Sequence, residues 1–423
     1  MNITKRGLIL GTTALAVSSV AITGFGLRFS QSQAFFQDSP KELVDEVWQV
    51  INRRYVDATF NGEDWREVRK EYLGKEYSDK EQAYEAIREM LKKLNDPYTR
   101  FMNPEEFKTM QIDTSGELTG IGIQITKEEE SKNIVVISPI EDTPAFSAGI
   151  ISKDIIRKID GKNTEGMELN DAVSMIRGKP GTSVDLVIER DGEMMNFTIT
   201  RAKIEIHPVR ARIEQSPDIG KFDYIRLVQF SSNAAAEMRQ AILEGEKNNV
   251  AGYILDLRSN PGGLLYSSVE IARMFINEGR IVTTVDRVGE VDAHSANGTA
   301  LTNKPVIVIV DGGSASASEI LAGAIQDHGR GVVVGTQTFG KGLVQSVRGL
   351  GDGSGMAVTI AKYLTPDGRD INKQGITPDI IYEMSEQDRE ILIQDRTKIG
   401  TMDDAQFRKA VQILSQQIAR KPN

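Results

Sequence analysis

Residues 306–319 read VIVIVDGGSASASE, and the fold is read outward from there. Val306 to Val310 is an apolar strand, Asp311-Gly312-Gly313 supplies the turn, and Ser314 to Glu319 opens a helix predicted over 317–327. The same alternation extends on both sides. Strands are predicted at 224–229, 252–257 and 332–335, and helices at 234–244 and 266–276. This alternation predicts an α/β layer with mostly parallel strands over residues 204–382.

Upstream the character changes twice. Between residues 111 and 203 short strands (121–125, 134–137, 155–159, 184–189 and 196–200) are punctuated by Gly149, Asp160-Gly161, Pro180-Gly181 and Asp191-Gly192. The last pair has the chemistry of a tight hairpin. A single helix sits among them at 168–176, turning Leu169, Val173 and Ile176 inward. Residues 35–110 are helical by spacing: Leu43, Val44, Val47, Val50 and Ile51 recur at helical intervals, as do Tyr84, Ile87, Met90 and Leu91. Residues 383–423 return to polar helices.

Composition narrows the chemistry. The 423 residues allow two or three domains, and 39% hydrophobic with 26% charged residues is the balance of a soluble globular protein. A formal charge of -9, with both signs interspersed, argues against a nucleic-acid partner. The absence of cysteine excludes disulfides, thiolate nucleophiles and cysteine-ligated zinc. No clustered ligand pattern suggests a metal, and no cofactor is expected. At the N-terminus Lys5 and Arg6 precede an uncharged run from Gly7 to Leu27, then Ser32-Gln33-Ala34. Residues 1–34 therefore read as a signal peptide, and the run is also long enough to serve as a membrane anchor. In either case the bulk of the chain lies outside the cytoplasm.

The element order of 111–203 resembles a circularly permuted PDZ domain of the kind found in bacterial proteases. In that reading Gly120-Ile121-Gly122-Ile123 is the loop that binds a chain terminus. Glycines let consecutive N–H groups converge on a carboxylate, while the strand edge pairs with the peptide. The plain alternative is a glycine-containing hairpin in a small barrel.

Ser316 stands where a hydroxyl meets the positive end of a helix, with the next backbone N–H free for an oxyanion. Ser316 and Glu319 also make a capping box, and that reading competes locally. A partner lies downstream in Gly340-Lys341-Gly342, where a partly buried amine could be neutral near pH 7 and take the serine proton. Gly335 and Gly340-Lys341 after an apolar strand also imitate a P-loop. Yet Gly342 replaces the Ser or Thr that would hold magnesium, and no helix start follows.

GGSASASE followed by GRGVVVGTQTFGKGLVQ resembles the carboxyl-terminal processing, or tail-specific, peptidase family. Two further stretches resemble its other signatures: Asp256 to Gly263 (DLRSNPGG), and Tyr363 to Gly368 (YLTPDG) with Gly375 to Asp379 (GITPD). The resemblance spans about residues 40–380 in the family's order. It implies Ser316 as nucleophile, Lys341 as general base and Gln345 as the residue orienting that lysine. The backbone N–H groups of Gly262 and Ala317 would form the oxyanion hole. A helical turn from 341 to 345 would bring Lys341 and Gln345 together, whereas a strand would not. The implied function is a serine endopeptidase that cleaves exported proteins near their C-termini, in the periplasm or thylakoid lumen. Its partners would be proteins with an accessible C-terminus. From another class, the alternative is a PDZ-based binding protein or chaperone with an inactive core. His207, His294 and His328 lie outside every signature and do not suggest a triad.

Overall fold

The computed structural model describes residues 39–128, 131–140, 143–289 and 291–420. The leader read at residues 1–34 lies outside the described residues.

The chain opens with three helices, α1 (Pro40–Arg54), α2 (Trp65–Leu73) and α3 (Lys80–Lys92), then a short strand β1 (Arg100–Met102) and α4 (Pro104–Ser115). Ser39 and Asn103 close capping boxes at α1 and α4, satisfying the first orphan N–H groups. Their apolar stripes bury Val47, Ile51, Ile87 and Met90 in one core. That core also contains Leu350, Met356 and Val358 from a distant hairpin, so the helical segment shares its interior with residues more than 250 positions downstream.

The PDZ unit follows: β2 (Glu117–Gly120), β3 (Ile123–Lys127), β4 (Ile134–Pro139), α5 (Pro144–Ser147), β5 (Ile155–Ile159), β6 (Lys162–Asn163), α6 (Leu169–Ile176), β7 (Ser183–Arg190), β8 (Glu193–Thr200) and β9 (Ala202–Glu205). Its sheet runs β3-β4-β5-β7-β8, so β3 is an edge strand. Asp191 and Gly192 both take positive φ, which a two-residue hairpin needs to match the twist of β7 and β8. The β2–β9 pair closes the unit where the chain enters and leaves. Gly116 (φ +71) turns the chain from α4 into β2 against Asn233, and a side chain there would strike that residue at 2.4 Å.

The third layer contains β10 (Val209–Ser216), β11 (Gly220–Leu227), α7 (Ala234–Lys247), β12 (Tyr253–Asp256), α8 (Leu265–Phe275), β13 (Arg280–Asp286) and β14 (Val291–Ser295). It continues with β15 (Val306–Val310), α9 (Ala317–Asp327), β16 (Val332–Gly335), β17 (Leu343–Gly349), β18 (Gly355–Leu364) and β19 (Ile380–Ile381). The main sheet has the order β10-β11-β12-β15-β16-β19, parallel from β11 to β19. Strands added in one direction by right-handed crossovers put their helices on one face. Accordingly, α7, α8 and α9 share a core with Leu255, Val308 and Val333. The opposite face, Tyr224, Ile254, Ile307 and Ile309, is covered from the C-terminal side by α11 (Ala405–Arg420) through Phe407 and Leu414. Between β19 and α11, α10 (Glu386–Gln394) buries nothing. A second sheet gathers β1, β13, β14 and β17 around β18. Among the described residues no helix is long and apolar enough to cross a membrane.

Candidate active site

Three loops leave the carboxyl ends of adjacent parallel strands: 257–264 after β12, 311–316 after β15 and 336–342 after β16. Ligands of open α/β sheets bind at this end, because the loops converge there and the helices begin there.

Ser316 is the turn between β15 and α9. Its φ of +55° and ψ of -112° lie where a residue with a β-carbon is rarely found, and such strain persists only when its surroundings impose it. The flanking serines supply part of that imposition. Ser314 Oγ donates to the Leu257 carbonyl (2.8 Å) and Ser318 Oγ to the Asn260 carbonyl (2.9 Å). Both hydroxyls are therefore occupied in stitching the first loop to the second. Ser316 is left with its hydroxyl beside the phenol of buried Tyr363; burial pushes that phenol up, and the serine hydroxyl partly offsets the rise.

Glu319 is fully buried and joins the second loop to the third. Its carboxylate accepts from the Ser316 N–H (2.8 Å), the Thr338 hydroxyl (2.6 Å), the Gly340 N–H (2.7 Å) and the Lys341 N–H (2.9 Å). Four donors compensate the removal of one charge from water. From sequence this glutamate reads as half of a capping box, and that half is present. The contacts to 338–341 come from a strand and a loop away, where local spacing carries no signal.

Lys341 is half-buried. Burial draws its amine below the usual lysine range and the Arg100 guanidinium adds to the fall, against smaller opposing pulls from Glu319 and Asp96. The Nζ lies over the Tyr98 ring, 5.0 Å from its centroid. Asp96 and Tyr98 belong to the turn between α3 and β1 and Arg100 opens β1, so the helical segment lines the lysine site. The chain after Lys341 enters strand β17, not a helix, so the phosphate-cradling helix start of a P-loop is absent at this position.

Two sequence expectations look different in the structure. Gln345 sits on β17, where its side-chain amide donates to the Leu343 carbonyl (3.2 Å). The helical turn that would have brought it to Lys341 is replaced by extended backbone. Gly262 packs against the nucleophile: an added β-carbon would lie 2.7 Å from the Ala315 oxygen and 2.9 Å from the Ser316 β-carbon. Its N–H, however, donates to Asn260 Oδ1 (2.9 Å). The donor expected to serve an oxyanion is thus engaged by a side chain. Ala317 opens α9 directly after Ser316.

The first loop is held from below. Arg258 pairs with Asp256 (2.5 Å) and with Asp404 before α11 (2.6 Å), and Tyr224 donates to Asp256 (2.7 Å), all of them buried. Burial alone would raise the Asp256 carboxyl, but the Arg258 charge overrides it and holds the group below the usual range. The histidines lie elsewhere: His207 bonds Glu237, His328 bonds the Arg280 carbonyl, and His294 Nε2 is buried 3.8 Å from Asp292 without a hydrogen bond. Asp327 pairs with Arg369. Among the described residues no cluster of ligands could hold a metal ion.

In the PDZ unit Gly120, Ile121 and Gly122 connect β2 to edge strand β3, which begins at Ile123. Ile121 is buried, and its carbonyl accepts from Ala145 (2.8 Å). A side chain at Gly122 would strike Thr143 at 2.4 Å. Ile123, Ile125, Leu169 and Met175 are partly exposed around the same core, and Lys127 bridges to Glu168 (2.9 Å). Arg177 after α6 donates to Thr109 of α4 (3.3 Å).

Comparison with known proteins agrees with this architecture. Residues 221–382 match peptidase family S41 and residues 119–200 match a PDZ domain. The chain is 41% identical over 381 residues to a carboxyl-terminal-processing protease of Synechocystis sp., covering 90% of this chain and 88% of that one. It is 41% identical over 348 residues to the chloroplastic carboxyl-terminal-processing peptidase 2 of Arabidopsis thaliana, covering 80% and 68%. Among solved structures it is similar to a photosystem II D1 C-terminal processing protease, with a TM-score of 0.56 and 39% identity, covering 82% of this chain and 93% of that one. With a PDZ unit set before a parallel-sheet core and these degrees of identity, the chain belongs to the carboxyl-terminal-processing proteases of peptidase family S41.

Proposed function

We propose that this chain is a serine endopeptidase that cleaves exported proteins near their C-termini with a Ser316–Lys341 dyad. The observation that carries the reading is the buried Glu319 carboxylate, which binds the backbone of the strained serine and of the lysine in one grip. A cap alone has no need of the second contact.

The neutral Lys341 amine takes the Ser316 proton as Oγ attacks the scissile carbonyl carbon. The resulting oxyanion is met by the Ala317 N–H and by the Gly262 N–H, which must first leave Asn260. Collapse breaks the C–N bond; the ammonium returns its proton to the departing amine and an acyl ester remains on Ser316. Water, deprotonated by the same amine, hydrolyses the ester and restores the serine. Because the base acts only when neutral, activity rises with pH through the lowered Lys341 pKa. Edge strand β3 and helix α6 hold the substrate C-terminus by strand addition, with Gly120 to Ile123 at the carboxylate. The site of action is outside the cytoplasm, in the periplasm or thylakoid lumen, with residues 1–34 as the export signal or anchor.

A fluorophosphonate probe on the folded protein tests the chemistry. Labelling of Ser316 that is lost in both Ser316→Ala and Lys341→Ala, with melting curves unchanged, is the expected result. Full labelling or cleavage by either variant refutes the dyad. Mass spectrometry of protein C-termini with and without the active enzyme then identifies the substrates.

A further inference from the structure

The lysine sits on an aromatic face supplied by another part of the fold. We propose that Tyr98 is a positioning residue for the base: its ring holds the Lys341 ammonium between turnovers, so the amine is stored charged on a platform built by the helical segment. This rests on Lys341 being the base.

Nζ lies 5.0 Å from the ring centroid, inside the range of about 6 Å over which a ring quadrupole attracts a cation. The platform is fixed. Asp96 accepts from the Tyr98 N–H (2.9 Å) and the Thr99 hydroxyl (2.7 Å), and Thr99 Oγ1 in turn accepts from the Thr359 N–H (3.0 Å) in the middle of β18. The backbone that carries the Tyr98 ring is therefore anchored on both sides of its Cα. The ring is half-buried, so solvent weakens the attraction less than it would at an open surface.

The charges around the amine are few. Asp96 and Arg100 face it from the platform's own segment and Glu319 faces it from α9. Glu319 is already shared among four donors, and Lys362 of β18 lies 3.8 Å from Asp370. Two acids and one arginine oppose each other across the amine. Burial and Arg100 favour the neutral amine, and the ring joins Glu319 and Asp96 in favouring the charged form. An aromatic face attracts an ammonium and gains nothing from an amine. Loss of the ammonium proton to solvent is therefore coupled to release of Nζ from Tyr98, and the neutral amine that results is the form able to take the Ser316 proton.

The test uses the full chain carrying lysine labelled with carbon-13 at Cε. The Lys341 signal is assigned with Lys341→Arg and titrated by NMR. Because this readout needs no turnover, it separates a failure of the ring contact from a failure of the peptidase reading. Tyr98→Phe keeps the ring face and is expected to leave the Lys341 titration in place. Its pentafluorinated form keeps the shape but reverses the quadrupole, and Tyr98→Leu removes the ring. Both are expected to lower the Lys341 pKa by roughly half to one pH unit. In active protein the acid limb of kcat/KM should move the same way. A titration unmoved in both ring-altered forms overturns the proposal, as does one that moves equally in Tyr98→Phe.

Discussion

Asp223 gives the chain a pH dependence of stability whose sign can be worked out. It lies on β11 facing α7, 2% exposed, with Oδ1 lacking any hydrogen-bond partner and Gly245 and the Tyr253 hydroxyl close by. Burial pushes its carboxyl from 3.8 up to about 7. In the unfolded chain the proton leaves near pH 4; in the folded chain it stays until about pH 7. The Asp223 contribution to stability is therefore whole below pH 4, falls steadily between pH 4 and 7, and is lost above pH 7. A shift of about 3 units corresponds to roughly 4 kcal/mol at most. Asp223→Asn removes the titration while keeping the shape. Urea unfolding of both proteins from pH 4 to 8 should show the wild type losing ground to the variant as pH rises. Other carboxylates titrate in both proteins and cancel in the difference. A difference that stays constant across this range would show that Asp223 is already ionised in the folded protein, and the argument from burial would fail.

Two further substitutions probe how the loops are joined. Glu319→Gln replaces one acceptor oxygen with a donor, so at least two of the four donors lose their partner. At about 1–3 kcal/mol each, it should lower the melting temperature and reduce kcat far more than KM in a peptide-cleavage assay. Asp404→Ala leaves Arg258 half-paired beneath the first loop. Breaking a buried pair costs about 3–5 kcal/mol, so urea should release α11 at lower concentration and probe labelling of Ser316 should slow.

The main sheet was legible in the sequence because its central strands are short apolar runs between glycine turns, as at 306–310 and 332–335, and each lies beside its own helix. The β13–β14 and β17–β18 pairs were not. Arg280 to Ser295 and Leu343 to Leu364 mix apolar and polar residues without a clean period, and their partners come from β1 and the helical segment. The C-terminal helices looked polar, yet α11 buries Phe407, Ala410 and Leu414, a stripe too narrow to weigh against its charged face. At the site, Ser316 and Lys341 stood out because motif and turn chemistry are local. The Glu319 grip on residues 338–341 and the Tyr98 platform under Lys341 depend on how separate segments meet, and no short window of sequence contains both partners.

The Arg258–Asp404 pair spans 146 residues of chain. A ribosome making this protein finishes the nucleophile and its neighbouring loops well before the residue that fastens them from beneath. Until that late segment emerges and docks, Arg258 has only Asp256 to hold it, and the loop beside Ser316 is untethered on its lower side. An unfinished chain thus carries Ser316 and Lys341 before it carries the carboxylate that braces the first loop from beneath.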